Sequence, residues 1–166
     1  MMKKITSIII LFMLSAGTSQ ADDNAFVNTR ILSATSAAKI ATVAEHACRK
    51  KGYQVAVAVT DRYGNLLAFV RDPLSGGHTI NVAQDKAYTA ASFQSDTLTL
   101  ASRIAFLKGT PRLLLVGGGV PIRIAGKMYG AVGVSGAPGE KQPGDIDHAC
   151  AIAGIDAVRE TLEFAE

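Results

Sequence analysis

Two pairs of short apolar runs, each closed around a glycine, constrain this chain more than any other feature. Val55-Ala56-Val57-Ala58-Val59 and Leu66 to Val70 flank Gly64-Asn65, while Ile122 to Ala125 and Met128 to Ser135 flank Gly126-Lys127. Runs of this kind read as β-hairpins, whose strands pair antiparallel. Leu113 to Val116 reads as a fifth strand, followed by a turn at Gly117-Gly118-Gly119-Val120-Pro121.

Four helices fill the remaining spaces. The first starts near Ser33 or Thr35, carries Ile40, Val43, Ala44 and Ala47 at helical spacing, and stops at Lys50-Lys51 before Gly52. The second runs from His78-Thr79-Ile80 to Phe93, with Ala83, Ala87, Ala90 and Ala91 forming a face that lets a sheet approach its backbone. Asp96 caps the third, which turns Leu98, Ala101, Ile104 and Ala105 to one side. The last begins near Asp145 or Asp147 and has Ile152, Ile155, Val158 and Leu162 as its core stripe. The order α-β-β-α-α-β-β-β-α predicts an α+β domain with helices packed on an antiparallel sheet, and it disfavours a doubly wound nucleotide-binding fold.

The N-terminus belongs to a different physical class. Lys3 and Lys4 precede an apolar stretch from Ile5 to Leu14 and a small-residue site ending at Ala21. That is the pattern of a secretory signal peptide, expected to span residues 1–21 and to be cleaved after Ala21. The apolar stretch is too short for a stable spanning helix, which needs about 20 residues. Its removal leaves residues 22–166 as a single domain, periplasmic or secreted, with no stable membrane insertion. It also changes the charge. The full chain has 17 basic and 14 acidic residues; without the two lysines, the balance falls to about +1, which is no footprint for nucleic acid. Cys48 and Cys150 either pair in an oxidising compartment or stay apart as buried thiols.

Familiar catalytic motifs are absent. Gly117-Gly118-Gly119 lacks the Gly-Lys-Ser/Thr spacing that cradles phosphate, and Gly133-Val134-Ser135-Gly136 lacks the spacing of a nucleophile elbow. The candidate chemistry lies between Arg71 and Lys86. Gly76-Gly77 leads into a helix N-terminus at His78-Thr79, where free N–H groups favour an anion. Arg71 can hold a carboxylate through two N–H groups, Lys86 adds a second positive charge, and Thr79 offers a hydroxyl. His78 supplies an imidazole able to ligate iron. In the plainer alternative Thr79 only caps the helix, Arg71 pairs with a surface acid, and His78 is solvated. His46 falls off the apolar stripe of its helix, and His148 sits where the helix dipole disfavours its charged form.

Several stretches carry a resemblance to a known family. They include Val59-Thr60-Asp61-Arg62-Tyr63-Gly64, Arg71-Asp72-Pro73-Leu74-Ser75-Gly76-Gly77-His78-Thr79 and Lys86-Ala87-Tyr88-Thr89-Ala90-Ala91-Ser92-Phe93. Gly117 to Ile122, Gly130 to Gly136 and Asp147 to Ile155 continue it in order. The chain resembles the GlcG/HbpS-like family of haem-binding and related proteins, itself related to the C-terminal domain of PduO-type adenosyltransferases. The resemblance implies a profilin-like fold with a five-stranded antiparallel sheet, assembled into homo-oligomers. For an exported member it implies haem as the cofactor, with roles in scavenging, sensing or degradation, and a binding protein before an enzyme. It places haem contact at Thr79 with His78 beside it, and no further. In a haem-binding reading, the charges of Arg71 or Lys86 are expected to pair with the propionates. A second reading uses Arg71 and the same helix N-terminus to hold a small organic acid, as a binding protein or enzyme.

Overall fold

The computed structural model describes residues 25–165. The segment read as a signal peptide, 1–21, lies outside them. An irregular leader over 25–33 gives way to helix α1 (Ala34–Arg49), capped by Ser33, whose Oγ accepts from the Ser36 N–H at 3.2 Å. Strands β1 (Ala56–Asp61) and β2 (Leu66–Arg71) form the first hairpin. Helices α2 (Thr79–Phe93) and α3 (Thr97–Arg103) follow, then a single 3₁₀ turn at Ala105–Leu107. The second hairpin is β3 (Gly119–Ile124) and β4 (Lys127–Ser135), and α4 (Asp145–Glu163) closes the domain.

The sheet has the order β2-β1-β4-β3, with every neighbouring pair antiparallel. Both hairpins expected from the sequence are present. Ala125 and Gly126 both have positive φ, 48° and 77°, which is the backbone twist that a two-residue hairpin turn requires.

Strand alternation sorts residues onto two faces. Val55, Val57, Val59, Val132 and Val134 join Ile40, Ala44, Ile155 and Val158 in the main core beneath α1 and α4. Ala56 and Ala58 face the other way, against Ala83 and Ala87 of α2. All six residues of β1 are buried, as expected for an inner strand covered on both faces. The α2 face is small for a steric reason: a Cβ at Gly133 would overlap the Ala83 carbonyl oxygen. Cys48 of α1 and Cys150 of α4 form a disulfide with Cα atoms 5.6 Å apart. Of the two alternatives, pairing is therefore the one realised.

Three local expectations need correction. Leu113 to Val116 is irregular, so the sheet has four strands among the described residues rather than five. The reason lies in its hydrogen bonds. The Leu114 N–H donates to Thr89 Oγ1 at 2.9 Å, and the Leu113 N–H to the Thr110 carbonyl at 3.1 Å. These groups are satisfied by α2 and by a local turn, not by a neighbouring strand. Part of the turn expected at Gly117 to Pro121 is instead the start of β3; Pro121 is tolerated because β3 is an edge strand. Finally, α3 buries Thr97 and Leu100 and leaves Ala101 and Ala105 exposed. Thr97 Oγ1 donates to the Val116 carbonyl at 2.6 Å and accepts from the Gly119 N–H at 2.9 Å, which sets the rotation of the helix.

Candidate functional site

A cleft of about 420 Å³ opens where the start of α2, the irregular 113–116 segment, the end of β4 and the start of α4 converge. Val82, Leu114, Val116 and Pro143 supply apolar walls. His78, Lys86 and Asp147 supply titratable groups. A larger groove of about 490 Å³ lies between α3 and the far side of the same segment, but Lys108 is its one charged side chain and no imidazole or hydroxyl reaches it. Donor chemistry therefore favours the first.

The loop before α2 is tied down at several points. The Arg71 Nη1 donates to the Ser75 carbonyl oxygen. The Asp72 Oδ1 accepts from the Leu74 N–H at 2.8 Å. Thr79 Oγ1 donates to the Gly76 carbonyl at 2.6 Å and lies 2.8 Å from Ser75 Oγ. His78 immediately precedes α2, already in helical φ/ψ, and its side chain makes no capping hydrogen bond. Its ring lies over Gly76, where a Cβ would come within 2.8 Å of the His78 Cε1. A side chain at position 76 would therefore displace the imidazole.

Lys86 and Asp147 are among the least solvated residues of the cleft. Their side chains are each 3 % exposed. Lys86 Nζ donates to Asp147 Oδ2 at 2.8 Å and to the Val134 carbonyl at 2.9 Å. The other Asp147 oxygen, Oδ1, accepts from the Ala137 N–H at 3.0 Å. Burial pushes the Asp147 carboxyl above its ordinary pKa; the Lys86 charge and these hydrogen bonds oppose that without cancelling it. Gly118 packs against the pair, and a Cβ there would come within 2.8 Å of Asp147 Cβ.

The structure thus brings His78 and Lys86 to one cleft, and it does not bring Thr79 or Arg71 with them. Thr79 is 1 % exposed and its hydroxyl is committed to the Gly76 carbonyl and Ser75, so it braces the loop, neither capping α2 nor facing a ligand. Arg71 lies outside the lining and secures the loop. Lys86 is not a free second cation, because Asp147 already balances it. Sequence reasoning had placed Asp147 only as an acid in the first turn of a helix. No local signal links it to Lys86, 61 residues away; the sheet brings them together.

The other candidate ligands lie elsewhere. His46 is exposed. His148 does not line the cleft; burial lowers its pKa against the opposing charge of Asp96, and its buried Nδ1 has no partner. Of the tyrosines, whose phenolates can ligate ferric iron, Tyr88 stacks under the Arg112 guanidinium at 4.0 Å and Tyr129 is buried. Among the described residues no cluster of three or more His, Cys, Asp or Glu could hold a bare metal ion.

The family described as "Haem degrading protein HbpS-like" matches residues 32–156, which includes every element from α1 to most of α4. This chain belongs to the HbpS-like family. The fold agrees: a double mutant of HbpS from Streptomyces reticuli superposes with a TM-score of 0.74 at 35% sequence identity, over 87% of this chain and 98% of that one. Protein GlcG of Escherichia coli strain K12 is 34% identical over 110 residues, or 63% of this chain and 81% of GlcG. A PduOC–haem complex has a TM-score of 0.66 over 77% of this chain and 95% of its own; at 22% identity that likeness is one of fold. The resemblance drawn from the sequence motifs therefore holds, and this HbpS-like chain has an α+β fold with four antiparallel strands.

Proposed function

We propose that this chain is an exported haem-binding protein and that the cleft at the start of α2 is its haem site. The observation that carries this reading is the exposed His78 imidazole at a cleft with apolar walls and a buried cation. A porphyrin needs flat apolar contact, a nitrogen ligand for iron and compensation for its carboxylates. Val82, Leu114, Val116 and Pro143 suit the first need, His78 the second and the Lys86 ammonium, shared with Asp147, the third. When bound, haem supplies a redox-active iron centre. The chain's own part is to orient the ring, offer the imidazole and exclude water from one face. Membership of the HbpS-like family and the haem complex formed by PduOC support the same reading.

Export fits the rest of the chain. A signal peptide over 1–21 would deliver residues 22–166 to the periplasm or beyond, where the Cys48–Cys150 disulfide is stable. No helix among the described residues is long and apolar enough to cross a membrane. Assembly into a homo-oligomer, expected from the family likeness, would be read by light scattering of the purified protein.

The reading is tested by titrating residues 22–166 with hemin. A shifted Soret band in the wild type that is lost in His78→Ala supports the site. Unchanged binding in His78→Ala assigns the iron ligand elsewhere, and an unshifted spectrum ends the haem reading. The polar floor made by Lys86 also suits a small organic acid. Thermal stabilisation by small carboxylates with no response to hemin would select that second reading.

A further inference from the structure

Lys86 and Asp147 form a neutral buried pair in the wall of the cleft. A lysine ammonium has three N–H donors. Two are taken here, by Asp147 Oδ2 and the Val134 carbonyl. The third has no partner among the described residues, although Lys86 is 97 % buried and lines the cleft. A ligand carboxylate that reached this donor would put two carboxylates on one ammonium in a poorly solvated place. Such an arrangement is costly, and one of the two acids then takes a proton.

We propose that Asp147 is the positioning residue of the cleft and its proton acceptor on binding. It holds Lys86 in place when the cleft is free, and it takes up one proton from solvent when a ligand carboxylate comes to Lys86. Lys86 stays an ammonium throughout, and no covalent bond is made or broken apart from the new O–H on Asp147. The proposal rests on the haem reading, in which the ligand carboxylate is a propionate.

The surroundings of Asp147 leave it as the group that responds. The charge facing it from α2 is Lys86, and the 136–137 segment contributes the N–H of Ala137. On its own helix, Asp145 is committed to the N–H groups of Glu140 and Lys141, and the charge felt by His148 comes from Asp96. Burial already favours protonated Asp147, so one more negative charge nearby acts in the same direction. His78, in the same lining, would act oppositely, because iron competes with protons for imidazole.

Two hemin measurements on the wild-type protein decide the matter, with hemin dimethyl ester as the comparison ligand. Calorimetry in buffers of different ionisation enthalpy should show that hemin takes up about one proton more than the ester, the contribution of His78 being common to both. The affinity for hemin relative to the ester should fall by up to about tenfold per pH unit as pH rises through the window in which uptake occurs. In Asp147→Asn, if it folds, both the extra uptake and the difference in pH slope should vanish. Equal proton uptake and equal pH slopes for hemin and ester overturn this proposal and leave the haem reading intact. Absence of a Soret response to either ligand overturns both.

Discussion

Two buried aspartates respond to burial with opposite outcomes. Asp61 ends β1 and organises the first turn: its Oδ1 accepts from the N–H groups of Tyr63 and Asn65 at 2.8 and 2.9 Å, and its Oδ2 from Asn65 Nδ2 at 2.9 Å. Burial pushes its carboxyl up, but the bonds from Asn65, Tyr63 and Gly64 more than offset this, so it ionises below its ordinary pKa. A pKa lowered by folding adds stability that is present above the unfolded value, near 3.9, and is lost as pH falls through the folded one. Asp61→Ala should therefore cost about 2 kcal/mol at neutral pH, with a smaller difference in acid, read by urea unfolding across pH. Asp147, raised by burial, contributes in the opposite sense: its share is present below the unfolded value and lost as pH rises through the folded one. Thr79→Ala should lower stability by about 1 kcal/mol and leave hemin binding unchanged, because its hydroxyl braces the loop rather than the cleft. The turn around Asp61 was legible in sequence because its bonding pattern is local; the cap expected of Thr79 was not realised, its hydroxyl donating to the Gly76 carbonyl instead. Asp147 was not legible, because its partner is supplied by a different helix across the sheet.

At the scale of elements, the contact between α2 and the sheet sets the geometry of the cleft. Gly133 of β4 sits where any side chain would strike the backbone of α2. Gly133→Ala should destabilise the domain by about 3 kcal/mol, read as a lowered urea midpoint. It should also weaken hemin binding, since Lys86 rides on that helix. The hairpins and the small face of α2 could be read from sequence because alternation, glycine turns and alanine spacing are short-range signals. The fate of Leu113 to Val116 could not. A single hydroxyl, Thr89 Oγ1, takes the Leu114 N–H and turns a strand-like run into the shared wall of two cavities.

Across the whole molecule, the Cys48–Cys150 disulfide spans 102 residues and fastens α1 to α4 on the face opposite α2. Closing a loop of that size stabilises a domain by about 5 kcal/mol in the chain-entropy picture. Cys48→Ala/Cys150→Ala should lose about that much and still bind hemin, because the bridge lies in the main core, away from the cleft. The slight positive charge expected of the chain without residues 1–21 says little about function; the placement of one buried cation and one exposed imidazole in the lining of the same cleft says more. The most direct measurement is therefore the hemin titration of residues 22–166 in wild type and His78→Ala. A shifted Soret band that saturates in the wild type and is lost in His78→Ala is the predicted result; a wild-type spectrum identical to free hemin would contradict it.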